Sequence, residues 1–517
     1  MAPTETYECP EQQAFPIDDQ AVRRPREEPL LEVNDESGNA PAYLPKLFPE
    51  DAEHVDTHTV TVSRESASCN CTAEDLGKTT FSHRPLDQTK REIRLCQILP
   101  QDCAHANSII KCRITHHNLD APPDSAYLGL DLKYTALSYC WGGPGGQSTI
   151  LLNDHPVQIG GNLHRFIAQT RGSDEDQNTY FWIDQLCIDQ SNINERNQQV
   201  QLMPSIYSQA SVVYSWLGDE DSDTAQAFKM LQELEENEVF HGKHSFHLQQ
   251  DELINLINAK APSELMAFLK LFIRRYWTRV WIVQEVFLAH DFFFLCGSQK
   301  HRLRDTSQGW TNVLSEVNIS PRIKTVLDVN GLLPHDLVQI DKIFQTTIQL
   351  LNYKSQGPGG WLPEDFAMLG NTIRQCQDPR DFIFGYQGCC VPYKRINVDY
   401  KKSTEQVFLD FCQAFNGKLE AWSDMLRLGR RMGLRGTSRE KCHALIYLLH
   451  LERKPDSRPF LELVKHEGLS LTLEDAQDEI CARISKEGEE YMRREDEPWY
   501  PHWYLKMREN EGLKGTR

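Results

Sequence analysis

Short apolar segments alternate with segments of helical period between residues 134 and 238. The strand-like segments are YTALSYCW (134–141), YFWIDQLCI (180–188) and SVVYSWLG (211–218), and the second and third are followed by the helical patterns NINERNQQVQLMPSIYSQA (192–210) and DEDSDTAQAFKMLQELEENE (219–238). This alternation is typical of a parallel sheet whose short strands are buried on both faces and connected by helices. We therefore predict an α/β fold with a parallel sheet and flanking helices.

Local polar residues predict how several of these elements begin and end. Asn153 and Asp154 lie between two apolar runs in TILLNDHPVQI and predict a β-hairpin. Asn162 is expected to cap the helix NLHRFIAQTR, and Asn192 or Asn194 the helix that follows the second strand.

Composition divides the chain into three regions. Residues 1–90 are rich in Pro, Asp, Glu, Ser and Thr without a sustained period, which predicts a variable, disordered arm. Residues 91–300 contain the strand and helix pattern, and residues 301–517 have a mainly helical pattern with a charged, aromatic-containing tail. We expect the chemistry to lie in the middle region.

Charge and hydrophobicity exclude several classes of function. A net charge of -19 argues against nucleic-acid binding, which needs a basic surface. No apolar run reaches the ~18 residues of a membrane span, and the polar, acidic beginning of the sequence does not resemble a signal peptide, so a cytoplasmic location is expected. The 15 cysteines follow no regular spacing, which favours buried thiols in a reducing compartment over disulfides.

The segment WIDQLCIDQ brings two carboxylates to the end of a predicted strand. Parallel α/β sheets bind ligands at the carboxyl ends of their strands, so Asp184 and Asp189 are candidates for a ligand pocket there. Both aspartates could equally serve the backbone N–H groups of the turn and of the next helix. Cys187 has no histidine near it in sequence, which favours a core position over a nucleophilic role.

A second carboxylate lies on a predicted aromatic helical face. Trp277, Trp281 and Glu285 recur every four residues in YWTRVWIVQEVFLA. A buried glutamate needs a partner, with Arg274, Arg275 and Arg279 as candidates, or it must face a wet cleft. Glu285 is therefore either part of a structural salt bridge or a group suited to glycosidic chemistry.

Metal and phosphate motifs are weak. Cys103, His105, Cys112 and His116 or His117 match no trusted zinc spacing, so we predict no metal site. The loop GGPGG (142–146) lacks the Gly-Lys-Ser/Thr ending of a P-loop. Its glycines either form a tight turn or use their N–H groups to bind a phosphate.

Three separated blocks together resemble a known family. YTALSYCWG, YFWIDQLCIDQSNINERNQQVQLMPSIYSQASVVYSWLG and YWTRVWIVQEVFLA are similar to the heterokaryon-incompatibility (HET) domain of filamentous fungi, and DPRDFIFGYQGCC and INVDYKKSTEQVFLDF resemble segments that commonly follow it. The resemblance is strong over residues 91–300 and moderate over 376–415. It implies a cytoplasmic protein of self/non-self recognition, which is a form of fungal innate immunity. Its HET domain would contribute to programmed cell death through protein partners or self-assembly.

The family resemblance also implies candidate site residues. HET domains have been likened to the Toll/interleukin-receptor (TIR) fold, a flavodoxin-like sheet, and some members of that group cleave NAD at the nicotinamide–ribose bond. No cofactor is expected, but NAD is an implied substrate. On this basis Glu285 and Asp184 would be the catalytic carboxylates. The implied NAD-binding residues are Trp141, Gly142, Gly143 and Trp281.

Overall fold

The computed structural model describes the central region of the chain most completely. The described residues are 81–100, 109–120, 133–142, 146–173, 176, 179–236, 255, 257–303, 342–343, 346–347, 350, 374–414 and 428–436. The predicted arm lies outside them up to residue 80, as does most of the region 301–517.

A nine-stranded mixed sheet is the centre of the described fold. Its strands are β1 (Glu92–Ile98), β2 (Lys111–Asn118), β3 (Tyr134–Tyr139), β4 (Gln147–Leu152), β5 (His155–Gly160), β6 (Tyr180–Trp182), β7 (Val212–Trp216), β8 (Phe292–Cys296) and β9 (Gln299–Leu303). Their order across the sheet is β5-β4-β2-β1-β6-β3-β7-β8-β9. Strands β6, β3, β7 and β8 are mutually parallel and form the predicted parallel core.

Helices connect and flank these strands. They are α1 (Gly161–Arg171), α2 (Asp184–Cys187), α3 (Ile193–Gln209), α4 (Thr224–Glu236), α5 (Pro262–Phe272), α6 (Ile282–Phe287), α7 (Asp381–Gln387) and α8 (Thr404–Ala414). Taken in chain order, the four parallel strands lie second, first, third and fourth across the sheet, which is the order of the first four strands of a flavodoxin-like sheet. The predicted α/β fold with flanking helices is therefore confirmed.

Antiparallel strands extend the parallel core on both sides. Strands β4 and β5 pair through a two-residue turn in which Asn153 and Asp154 have φ values of 49° and 63°, as predicted for a hairpin. Strands β8 and β9 are joined through Gly297, whose φ is 53°. Such short connections permit only antiparallel pairing, which makes the whole sheet mixed.

The parallel core is buried on both faces. Every residue of β3 is buried, and most of β7 and β8 is as well. The rings of Phe166, Phe181 and Trp216 pack edge to face between α1 and the sheet. Continuous burial explains why these strands are apolar runs without alternation.

The strand predicted over 180–188 is shorter than the apolar run. It ends at Trp182, and the chain turns into α2, where the backbone N–H of Ile188 donates to the carbonyl of Asp184. Cys187 is buried, and burial raises the pKa of its thiol to about 12, which supports a core position over a nucleophilic role. Asp189 accepts bonds from the backbone N–H and hydroxyl of Ser191 and shapes the turn before α3.

Two predicted helix caps have different outcomes. The Asn192 side chain accepts from the backbone N–H groups of Asn194 and Glu195, so its capping role is confirmed. The Asn162 prediction is wrong, because the N-cap of α1 is Gly160, two residues earlier, and Asn162 lies inside the helix. Asn162 instead accepts from the Trp216 indole at 2.9 Å and donates to the Cys140 carbonyl at 2.9 Å, where β3 ends.

Within the described ranges, no helix combines the length and apolarity that a membrane span needs. The same ranges contain no group of three or more Cys, His, Asp or Glu side chains arranged for a metal ion. Cys103 and His105 lie outside the described residues, and Cys112 is buried in β2.

Candidate functional site

A cavity of about 1040 Å³ opens at the carboxyl ends of the parallel strands. Its volume is at the upper end of the roughly 300–1,000 Å³ range of small-molecule sites. The predicted residues that line it are Trp141, Gly142, Asp184, Trp281 and Glu285. Gly143 lies outside the described residues. The fold thus brings together every described member of the predicted site.

Asp184 reaches the cavity because it lies two residues after the end of β6 and begins α2. Its Oδ2 accepts a hydrogen bond from the Trp141 indole at 2.8 Å, and its Oδ1 accepts from the backbone N–H of Gln185 at 2.7 Å. Burial raises the pKa of Asp184 to about 6, a shift that Arg279 opposes and Glu285 reinforces. The carboxylate therefore both shapes the local turn and lines the cavity, and it titrates near neutral pH.

Trp141 and Gly142 follow β3 at the mouth of the cavity. The Trp141 side chain is 41% exposed, which is unusual for an indole. Gly142 has a φ of 77° and Gly146 a φ of 66°, conformations that favour glycine over other residues. Residues 143–145, which connect these two glycines, lie outside the described residues.

Glu285 is almost completely buried at the inner wall. Its Oε2 accepts a hydrogen bond from the Ser138 hydroxyl and a second from Nη1 of Arg279 at 3.2 Å. No described residue donates a hydrogen bond to Oε1. Tyr276 extends the network, because its hydroxyl contacts Ser138 at 2.8 Å and donates to Ser215 at 2.9 Å. The predicted arginine partner is thus Arg279, and the ion pair also lines the cavity.

Arg279 is the positive charge between the two predicted carboxylates. Burial opposes its charged form, but Glu285 and Asp184 outweigh that effect and raise the pKa of the guanidinium. It is therefore protonated at every physiological pH. It is the ion-pair partner of Glu285 in a buried position, where an unpaired charge would cost several kcal/mol.

The predicted single helix carrying Trp277, Trp281 and Glu285 is wrong. A 3-10 helix over Arg275–Thr278 ends where Arg279 becomes extended, and α6 begins only at Ile282. Arg279 pairs with Gln375 as an isolated β-bridge. Trp277 therefore packs in the core against Phe272 and Phe294, whereas Trp281 reaches the cavity. A segment about a hundred residues further along the chain interrupts the periodic helix.

The opposite wall comes from that later segment, which the sequence did not predict as part of the site. Its cavity-lining residues are Gln375, Cys376, Gln377, Asp378, Pro379, Arg380, Asp381, Tyr400 and Thr404. Asp381 accepts from the Trp281 indole at 3.1 Å and from the Tyr400 hydroxyl at 2.6 Å. Burial raises the pKa of Asp381 to about 7. The sequence DPRDFIFGYQGCC was the available signal for this wall, through its resemblance to segments that follow HET domains.

Comparison with known proteins agrees with the resemblance. Residues 134–285 match the family Heterokaryon incompatibility protein (HET). Heterokaryon incompatibility protein 6, OR allele, of Neurospora crassa is 27% identical over 244 residues, which cover 41% of this chain and 34% of that protein. The match thus spans about a third of the curated relative. No solved structure matches the chain.

The family match coincides with one side of the cavity. It begins at Tyr134, the first residue of β3, and ends at Glu285. The wall formed by residues 375–404 lies beyond it. The chain therefore carries a heterokaryon incompatibility (HET) domain, to which residues 134–285 belong.

Proposed function

We propose that this chain acts in heterokaryon incompatibility, and that its HET domain contributes to a programmed cell-death response through partner binding or self-assembly. The observation that carries the proposal is the family match over residues 134–285, together with the similarity to a Neurospora crassa protein named for heterokaryon incompatibility. Cytoplasmic protein partners are the expected binding targets.

Induced expression tests this proposal. The full chain is placed under an inducible promoter in a filamentous fungus, and dead compartments are counted with a vital dye before and after fusion with strains of different genotype. We expect cell death after induction or after fusion with particular strains. Unchanged viability at matched protein levels in every pairing would refute the proposal.

A second candidate is an NAD glycohydrolase that assembly activates. The observation that favours it is the cavity itself, in which Asp184 and Glu285 lie with the indoles of Trp141 and Trp281. Nicotinamide leaves a cationic glycoside as a neutral base, so cleavage needs no general acid. The products from NAD and water are nicotinamide, ADP-ribose and one proton.

The residues suit distinct parts of that reaction. The Oε1 of Glu285 accepts no hydrogen bond from a described residue, so it is suited to stabilise an oxocarbenium-like transition state. Asp184, whose pKa is about 6, is mostly ionised at neutral pH and can accept the proton of the attacking water. The indoles provide stacking surfaces for the nicotinamide ring.

Nicotinamide release followed by chromatography tests this candidate. The full chain is assayed at low and at crowded concentration, beside the near-isosteric variant Glu285→Gln and a control, Arg113→Gln, which removes an exposed guanidinium from β2. Turnover in the wild type and control that is lost in Glu285→Gln would support the enzyme. Absence of turnover in all three, including the assembled protein, would exclude it.

A further inference from the structure

Arg196 lines the cavity without having been part of the predicted site. It lies in the first turn of α3, and its guanidinium carbon is 4.0 Å from the centroid of the Tyr400 ring. Tyr400 is buried, and its hydroxyl donates to Asp381 at 2.6 Å, which fixes the ring. The aromatic ring therefore supports the guanidinium and limits its freedom.

The Arg196 side chain donates no hydrogen bond to any residue that the structure describes. Its Nε is buried without a hydrogen-bond partner, and its terminal nitrogens donate to no described residue. These terminal nitrogens are not fully buried, so they can be reached from the cavity that Arg196 lines. A half-buried cation with free donors on a cavity wall is equipped to bind an anion.

Neighbouring groups do not neutralise this charge by direct contact. Arg380 binds both carboxylate oxygens of Asp378 and two backbone carbonyls, those of Tyr400 and Lys402. The two oxygens of Asp381 already accept bonds from Trp281 and Tyr400. The carboxylates nearest Arg196 thus have other partners, which leaves the N–H donors along the edge of its guanidinium for a ligand.

The N-terminus of α3 does not supply this site. The side chain of Asn192 already accepts from two of its N–H groups. Glu195 accepts from the backbone of Asp189 and forms a buried ion pair with Arg94 at 2.5 Å. Two backbone donors and the acidic residue of the first turn have these partners, so the Arg196 side chain is the group of this turn that faces a ligand.

We propose that Arg196 is the anion-binding residue of the cavity and that it holds a phosphate group of a small-molecule ligand. The guanidinium presents two parallel N–H donors that match two phosphate oxygens. This inference rests on the proposed function of the cavity as a ligand site and names the ligand class, a phosphate ester. The subsite lies between the HET domain and the later segment, because α3 supplies the arginine and Tyr400 supports it.

Calorimetric titration of the full chain with inorganic pyrophosphate tests the subsite. The variants are Arg196→Met, which keeps an unbranched apolar chain over Tyr400, and Arg196→Lys, which keeps the charge but loses the planar pair of donors. Arg113→Met is the matched control, since Arg113 is exposed on β2 and does not line the cavity. Thermal unfolding of each variant verifies that it is folded.

We expect pyrophosphate to bind the wild type and Arg113→Met equally, about tenfold or more weakly to Arg196→Met, and with intermediate affinity to Arg196→Lys. Equal affinity of wild type and Arg196→Met, or absence of binding to the wild type, would overturn the proposal.

A second comparison separates this inference from the glycohydrolase candidate. Nicotinamide mononucleotide carries a phosphate that nicotinamide riboside lacks, so the first should compete with pyrophosphate and the second should not. Arg196-dependent binding of pyrophosphate without any NAD turnover would retain the subsite and exclude the enzyme. NAD turnover whose KM is unchanged in Arg196→Met would retain the enzyme and overturn the subsite.

Discussion

Replacing Arg279 with methionine should destabilise the fold strongly, because it leaves the charge of Glu285 without its partner. The side chains of the pair are 16% and 2% exposed, so little water can replace the lost guanidinium. Removing one member of a buried ion pair costs about 3–5 kcal/mol in free energy of unfolding. At about 2–4 °C per kcal/mol for a domain of this class, the thermal midpoint should fall by roughly 6–20 °C.

Thermal unfolding followed by circular dichroism measures this effect, with an exposed pair as control. Arg91 and Asp120 also form an ion pair, but their side chains are 36% and 50% exposed. Arg91→Met should therefore cost less than about 1 kcal/mol. The double variant Arg279→Met/Glu285→Gln should be more stable than Arg279→Met alone, because it removes the unpaired charge. A midpoint for Arg279→Met equal to that of Arg91→Met, or a double variant less stable than the single one, would show that the buried charge of Glu285 does not depend on Arg279.

Three further predictions concern the cavity walls. The pKa of Asp381 is about 7, above its ordinary value of 3.8, so the stability that its protonation contributes is fully present below pH 3.8 and is lost as the pH rises to about 7. The unfolding midpoint of the wild type should therefore fall relative to that of Asp381→Asn between about pH 4 and pH 7, and a constant difference would contradict this. Asn162→Ala leaves the Trp216 indole without its acceptor and should lower the free energy of unfolding by about 1–3 kcal/mol in urea titrations, whereas a change below about 0.5 kcal/mol would show that water replaces the amide. Gly142→Ala meets no atom within 4 Å but retains a φ of 77°, so a cost of about 1 kcal/mol from backbone strain is expected, and no loss of stability would mean that the loop relaxes.

Local features of the sequence predicted much of the sheet. The apolar runs of β3, β6 and β7 identify buried parallel strands because such strands show no polar alternation. The hairpin at Asn153 and the cap at Asn192 follow from short-range hydrogen bonding and backbone preference, which depend on few neighbours. The same rules predicted Asp184 at the carboxyl edge of the sheet, where it lines the cavity.

Contacts distant in sequence account for what could not be predicted. The four-residue period of Trp277, Trp281 and Glu285 suggested one helix, but pairing of Arg279 with Gln375 breaks it. Asparagine commonly caps helices, but the Asn162 side chain instead forms hydrogen bonds with Cys140 and Trp216, which are distant in sequence. The cavity wall around Asp381 forms because a later segment packs against the residues near Trp281. The hydrophobic pattern of that segment does not indicate which surface it contacts.

That docking joins the segment to α3 through several polar contacts. The backbone N–H of Tyr400 donates to Asn197 at 2.9 Å, and that of Val398 donates to Gln201 at 2.8 Å. The same segment contacts α6 through the bond between Trp281 and Asp381. The cavity is therefore a joint product of the HET domain and residues beyond its family match.

The most direct test of the central claim is the viability of fungal cells that express cavity variants at equal protein levels. If the proposed cell-death function depends on the cavity, the full chain and Arg113→Met cause cell death, whereas folded Glu285→Gln, which lacks a carboxylate of the cavity wall, does not. Cell death by Glu285→Gln at the rate of the wild type would contradict it.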